Sequence, residues 1–325
     1  MFDVVGTGAL LVAVVLTVWL ATRARRARNA IVKWAGIGLS SLLALVFGLA
    51  ALLALVGYYR INFPPGRPPV PDARVTATPE RLARGERFAA LCAGCHSPDG
   101  RLPLVGQDFL AEGGPPVGTL YAPNLTPAGE IRDWSDGEVI RAIREGVHQS
   151  GRPLLIMPSG IFRNLSDADV ESIVAFLRAQ PAAGEGSPPT KLNVLGAILL
   201  GAGMAPVTAQ PPVTETVIAP PEGTSLEYGR YLVSVLACQE CHGQDLAGRM
   251  GGGLGPPGAP NLTEIVPQWS LEDFVHTLRT GVDPNGHELI EDMPWKEYST
   301  FASDSDLVAI YTYLHGLPHR PGPVR

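Results

Sequence analysis

The chain has 325 residues, enough for two or three domains of ordinary size. Glycine and proline supply 68 of them, so the folded parts must be rich in turns. The net charge is −6, and from Ile61 onward 30 acidic side chains stand against 19 basic ones, which excludes a phosphate-neutralising nucleic-acid surface.

Two apolar runs come first. Val4–Ala21 holds 18 uncharged residues and Ala35–Gly57 holds 23, each near the roughly 20 that cross a bilayer as helix. Arg23, Arg25, Arg26, Arg28 and Lys33 crowd between them. A cleaved signal peptide would carry its positive charge ahead of the apolar core, where only Asp3 lies. By the positive-inside rule the basic loop stays cytoplasmic. Residues 1–60 are therefore expected to form a transmembrane hairpin anchor in a bacterial inner membrane. A proline-rich linker over 61–79 follows, and everything after Tyr58 lies on the periplasmic or outer face.

The exported part then repeats itself. Residues 80–181 and 223–320 form two copies joined by a linker over 182–222. The run Ala122, Pro123, Asn124, Leu125, Thr126 returns as Ala259, Pro260, Asn261, Leu262, Thr263, and Trp134 with Ser135 returns as Trp269 with Ser270. Arg144, Gly146 and Val147 recur as Arg279, Gly281 and Val282, and Met157-Pro158 as Met293-Pro294. Such a period is too long for a solenoid and suits a duplicated domain. Each copy is expected to be all-α. Ser135 with Glu138, Ser166 with Asp169 and Ser303 with Asp306 resemble capping boxes. Val170, Ile173, Val174 and Leu177 lie at helical spacing in one closing helix, as do Val308, Tyr311 and Leu314 in the other. Within the linker, the uncharged stretch Leu192–Ala205 is too short to span a bilayer, and a packed segment between domains is expected over a shallow membrane contact.

All four cysteines fall in two identical arrangements, Cys92-Ala93-Gly94-Cys95-His96 and Cys238-Gln239-Glu240-Cys241-His242. One helical turn can present two thiols to the vinyl groups of a haem while the adjacent histidine reaches the iron. The rivals are a zinc site built from both cysteine pairs, a redox-active dithiol, and a structural disulfide. None of them accounts for the histidine recurring at the same place. A histidine-held haem iron has a sixth position to fill. Of the five methionines, only Met157 and Met293 occupy matching places, 62 and 52 residues after the second cysteine of their motifs. Their recurrence makes them the expected axial ligands, with bis-histidine ligation as the rival. His148, His276, His287, His315 and His319 have no counterparts in the other copy and read as surface or packing residues. Trp134 and Trp269 suit the walls of haem pockets or the core, and haem propionates are candidate partners for Arg144 and Arg279.

These residues resemble class I c-type cytochrome domains. The run from each Cys-x-x-Cys-His through Pro-Asn-Leu-Thr to Met-Pro is similar to the multi-haem cytochrome subunits of membrane-bound periplasmic dehydrogenases, notably alcohol dehydrogenases. The likeness covers about residues 80–181 and 224–318. It implies two covalently bound haem c groups, thioether links from Cys92, Cys95, Cys238 and Cys241, and axial pairs His96 with Met157 and His242 with Met293. The chain departs from that subunit type in carrying two haem motifs instead of three and in placing its anchor first.

The expected function is electron transfer on the periplasmic face, with no substrate-binding centre. An inner-membrane respiratory complex or dehydrogenase, membrane lipid and no nucleic acid are the expected partners. From Glu222 onward the balance is 14 acidic to 6 basic residues, which suits a basic soluble cytochrome docking on the second copy. The competing readings are a dihaem peroxidase-like enzyme, which needs an open iron position, and a haem-bearing assembly or sensor subunit.

Overall fold

The computed structural model describes residues 3–323 apart from 64–68, 112–113, 115, 206 and 252–257. Residues 64–68 of the expected proline-rich linker thus lie outside the described residues.

Two long helices, α1 (Val4–Ala24) and α2 (Ala30–Asn62), form a hairpin closed by the basic turn. Both outrun the uncharged stretches, because Arg23, Lys33 and Arg60 are good helix formers and extend the ends. Asp3 caps α1 by accepting from the Gly6 N–H (2.8 Å), and Asn29 caps α2 by accepting from the Ile31 N–H (2.9 Å). Both helices are long and apolar enough to cross a membrane. Val5, Leu16, Leu45 and Leu52 are exposed along them, so they are not the core helices of a water-soluble domain.

The first lobe follows. Helix α3 (Pro79–Ala90) starts where Thr78 accepts from the Arg81 N–H and Pro79 takes the first turn. The short α4 (Ala93–His96), α5 (Asp136–Glu145), α6 (Ser159–Phe162) and α7 (Asp167–Ala179) complete its helices. Strands are confined to two-residue pairs. β1 (Gln107–Asp108) lies antiparallel to β3 (Tyr121–Ala122), and β2 (Gly118–Thr119) lies antiparallel to β4 (Lys191–Leu192) in the linker. The linker helix α8 (Val194–Gly201) comes next. It packs on α2, not between the lobes as expected from sequence.

The second lobe repeats the order of the first with α9 (Leu226–Val235), α10 (Cys238–His242), α11 (Leu262–Ile265), α12 (Leu271–Thr280), α13 (Trp295–Phe301) and α14 (Asp304–His315). In each lobe the first and last helices cross at a glycine, α3 on α7 and α9 on α14. A Cβ on Gly85 would enter the Ser172 carbonyl, and one on Gly229 would enter the Ala309 carbonyl. Phe88, Val170 and Val174 fill the first core; Tyr228, Leu232 and Leu307 fill the second.

The two cores join into one cluster. Phe88 meets Phe301 edge-on with ring centroids 5.0 Å apart. Superposing Gly85 on Gly229 makes Arg87 the counterpart of Tyr231, and each reaches the opposite lobe's closing helix. Arg87 pairs with Asp306 at 2.6 Å, while the Tyr231 hydroxyl donates to Asp169. The interface is therefore close to two-fold.

That use of Asp169 corrects one sequence expectation. Ser135 with Glu138 and Ser303 with Asp306 form full capping boxes, as does Ser270 with Asp273. Ser166 accepts from the Asp169 N–H, but its own N–H donates to the Tyr231 hydroxyl (3.0 Å). The Asp169 carboxylate accepts from the Ser166 hydroxyl (2.8 Å) and is shared with Arg84 and Tyr231.

Candidate haem sites

In the first lobe the cysteine motif closes one wall of a largely apolar cleft. Cys92, Cys95 and His96 line it together with Met157 and Pro158. Trp134, Ile131, Val139, Ile143 and Leu177 contribute apolar lining. Burial pushes the Cys92 thiol up to about 12 and raises that of Cys95, so neither is an activated thiolate of the redox-dithiol kind.

The His96 ring is buried, and its Nδ1 lies 2.8 Å from the Pro123 carbonyl. A carbonyl only accepts, so Nδ1 carries the proton and Nε2 keeps its lone pair. Burial lowers the His96 pKa, and the hydrogen bond only partly offsets this, so the ring stays neutral. His242 repeats the arrangement, with Nδ1 2.9 Å from the Pro260 carbonyl and its pKa lowered first by burial. A neutral imidazole oriented by a backbone acceptor suits a metal ligand.

The recurring Pro-Asn-Leu-Thr run explains this orientation. Pro123 and Pro260 supply the carbonyls. Asn124 accepts from the Thr126 N–H (2.8 Å) and donates to the Ala183 carbonyl (2.8 Å). Asn261 accepts from the Thr263 N–H (2.9 Å) and donates to the Arg320 carbonyl (2.7 Å). In both lobes the run ties the chain beyond the closing helix to the loop that aims the histidine.

The methionine turns also match. Pro158 and Pro294 share the same dihedrals, φ −79° and ψ 51°. The Ser159 N–H donates to the Met157 carbonyl (2.8 Å) and the Trp295 N–H to the Met293 carbonyl (2.7 Å). Each is an inverse γ-turn centred on the proline. Met157 and Met293 are partly buried, whereas Met204 and Met250 are 66% and 51% exposed. The structure brings Met157 into the cleft of Cys92, Cys95 and His96, and packs Met293 against the core.

Arg144 pairs with Asp167 at 2.6 Å and donates to the Leu165 carbonyl, while its buried Nε has no hydrogen-bond partner among the described residues. Arg279 likewise pairs with Asp304 at 2.7 Å, so both arginines brace the start of the closing helix. His148 takes the packing role of the two expected for it: it lines the cleft, meets Trp134 edge-on with ring centroids 4.8 Å apart and lies 2.7 Å from Glu130. Arg152, missed in the sequence, also lines the cleft. Burial lowers its pKa, with Glu130 acting the other way. In the second lobe, Arg249 has a buried Nε without a hydrogen-bond partner among the described residues. Such an orphaned cationic donor fits a bound anionic group such as a haem propionate.

The zinc alternative finds no support, since no group of three or more His, Cys, Asp or Glu side chains among the described residues could hold a metal ion. A paired thiol set, a neutral histidine and a methionine around one apolar cleft fit haem c.

This combination of helices and cleft defines a c-type cytochrome, and residues 82–181 match the family model of cytochrome c. The chain belongs with the c-type cytochromes, whose haem is bound covalently. It is 30% identical over 260 residues to the fructose dehydrogenase cytochrome subunit of Gluconobacter japonicus, covering 73% of this chain and 52% of that protein. It is 29% identical over 273 residues to the cytochrome c subunit of alcohol dehydrogenase (quinone) from Gluconobacter oxydans, covering 74% and 55%. It is 31% identical over 310 residues to one of the subunits of nicotinate dehydrogenase from Pseudomonas putida, covering 86% of this chain and 25% of that protein. The chain thus spans about half the length of the first and second of these relatives and a quarter of the third.

Proposed function

We propose that the chain is a membrane-anchored dihaem cytochrome c that relays electrons on the periplasmic face as the partner of a dehydrogenase. Residues 1–60 are its anchor, and residues 80–181 and 223–320 are tandem cytochrome c domains. The observation that carries this reading is the duplication of parts, in which His96 and His242 share the same neutral tautomer and each lobe carries the same kind of methionine turn.

Cys92 and Cys95 hold the first haem and Cys238 and Cys241 the second. His96 with Met157, and His242 with Met293, would hold the two irons. Haem c, when bound, supplies one-electron exchange between ferric and ferrous iron. The protein's contribution is to exclude water with Trp134 and its apolar neighbours and to hold each imidazole neutral. Methionine as a ligand would favour the reduced form and leave no position for peroxide chemistry. Names of the relatives support a dehydrogenase as electron donor. The exposed apolar length of α1 and α2 and the basic turn between them support the anchor and its sidedness.

The test is spectroscopic. Alkaline pyridine should release the spectrum of two haems c per chain, and ferric Met157→Ala and Met293→Ala should each lose part of the methionine-to-iron absorption band. One haem per chain, or an unchanged band in both variants, would overturn the assignment.

A further inference from the structure

We propose that α8 is a re-entrant membrane helix, seated about one turn deep in the outer leaflet against the hairpin, and that it holds the first cleft at the bilayer surface. This rests on the reading that α1 and α2 span the membrane.

The register supplies the depth. A Cβ on Gly57 would enter the Ala197 carbonyl, and one on Gly201 would enter the Leu53 carbonyl. As α2 runs outward from Leu53 to Gly57, α8 therefore runs back inward from Ala197 to Gly201. Gly57 closes the apolar run of α2, ahead of Tyr58, Tyr59 and the charged Arg60, and Leu53 lies four residues inside it. At the rise of an α-helix this is about 6 Å below the end of the apolar span. The segment Leu192–Ala205 carries no charge, and Leu195 and Met204 remain 40% and 66% exposed on it.

Backbone groups that enter hydrocarbon need partners inside the protein, and several at the ends of α8 have them. At the outer end, the Asp3 carboxylate accepts from the Val194 N–H (3.1 Å), and the Asn193 side chain accepts from the Gly196 N–H (3.1 Å). At the inner end, Arg60 donates from its guanidinium to the Leu200 carbonyl (3.0 Å). The Gly203 and Met204 N–H groups donate to the Leu200 and Leu199 carbonyls. A short apolar helix, capped at both ends by the hairpin's own polar residues, fits lipid better than water as surroundings for its free face. The cleft is tied to it directly: β4 leads into α8 and pairs with β2, while Thr190, Leu120 and Tyr121, beside those strands, line the cleft.

The experiment uses full-length protein in phosphatidylcholine–phosphatidylglycerol nanodiscs, with spin labels on Met204→Cys, Ile218→Cys and Leu45→Cys. The haems are kept reduced, so that low-spin ferrous iron leaves the labels' relaxation undisturbed. Accessibility to oxygen, which concentrates in lipid, is compared with that to a water-soluble nickel chelate. Ile218 is exposed in the linker beyond α8, and Leu45 is exposed at mid-hairpin. The expected result is a several-fold higher oxygen-to-nickel ratio at 204 than at 218, approaching that at 45. A lipid reading at 45 with a water reading at 204 overturns the re-entrant helix while leaving the anchor intact. A label at 204 shielded from both reagents, as by a protein partner, overturns it too. A water reading at 45 overturns the anchor and the proposal together.

Discussion

At the scale of the residue, the first cleft gathers groups that would set the charge around a bound iron without binding it. Arg152 lines the first cleft beside Glu130 and His148, and a cation there disfavours the ferric state. Replacing it as Arg152→Gln should lower the midpoint potential of one haem, on the order of 60 mV, the one-electron equivalent of about 1.4 kcal/mol. Spectroelectrochemical titration would show it, and two unmoved components would refute it. The Glu130 carboxyl is held below its usual value, first by the hydrogen bond with His148. A carboxylate depressed on folding contributes stability above its unfolded value, near 4.5, that is lost as pH falls through the folded value. The thermal midpoint of Glu130→Gln should thus trail the parent protein at pH 6 and converge with it in stronger acid. The proposed haem-binding cysteines and histidines stand out in the sequence because covalent attachment demands one fixed spacing, and Met157 and Met293 stand out because they recur. Arg152 does not. Its structural counterpart is His287, as the matching bridges Val147 to Pro153 and Val282 to Glu288 show, so the repeat hid it.

Among the elements, the helix crossings carry the fold. Gly85 and Gly229 let each first helix touch the backbone of its closing helix, and any Cβ there forces the pair apart. Gly85→Ala and Gly229→Ala should each cost about 1–3 kcal/mol, the usual penalty of overpacking, seen as a lower denaturant midpoint of the holoprotein. Unchanged midpoints would mean that the crossing yields freely. Across the interface, Tyr231→Phe leaves the buried Asp169 carboxylate and the Ser166 N–H each short of a partner. A loss of about 1–3 kcal/mol is expected. The closing helices and most caps were readable from local patterns, since capping is settled within four residues. Tertiary demands were not readable in that way. Asp169 reads as a capping carboxylate and is also shared with Arg84 and Tyr231, while Arg144 and Arg279 each brace the start of a closing helix. No periodicity in either copy encodes which side chain reaches the other lobe.

For the whole molecule, the question is whether two sites in one chain sense each other. The two-fold interface sets the helix that leaves the second methionine against the first cysteine motif, with α13 packed on α3. Glu297 on α13 brings its carboxylate to 3.6 Å from where a Cβ on Gly94 would lie, and its charge helps raise the Cys95 thiol pKa. A fixed anion at that point favours the ferric state of the haem held by Cys92 and Cys95. Glu297→Gln should therefore raise one midpoint, the same component that Arg152→Gln lowers, because both residues act on the first site. The shift should shrink with added salt, since the Debye length falls to about 10 Å at 0.1 M ionic strength and a carboxylate at the seam is only partly shielded from water. If the two substitutions move different components, Glu297 serves its own lobe and the seam does not couple the sites. If they move the same component in opposite directions, a residue of one copy tunes the iron of the other, and the duplication works as a single relay.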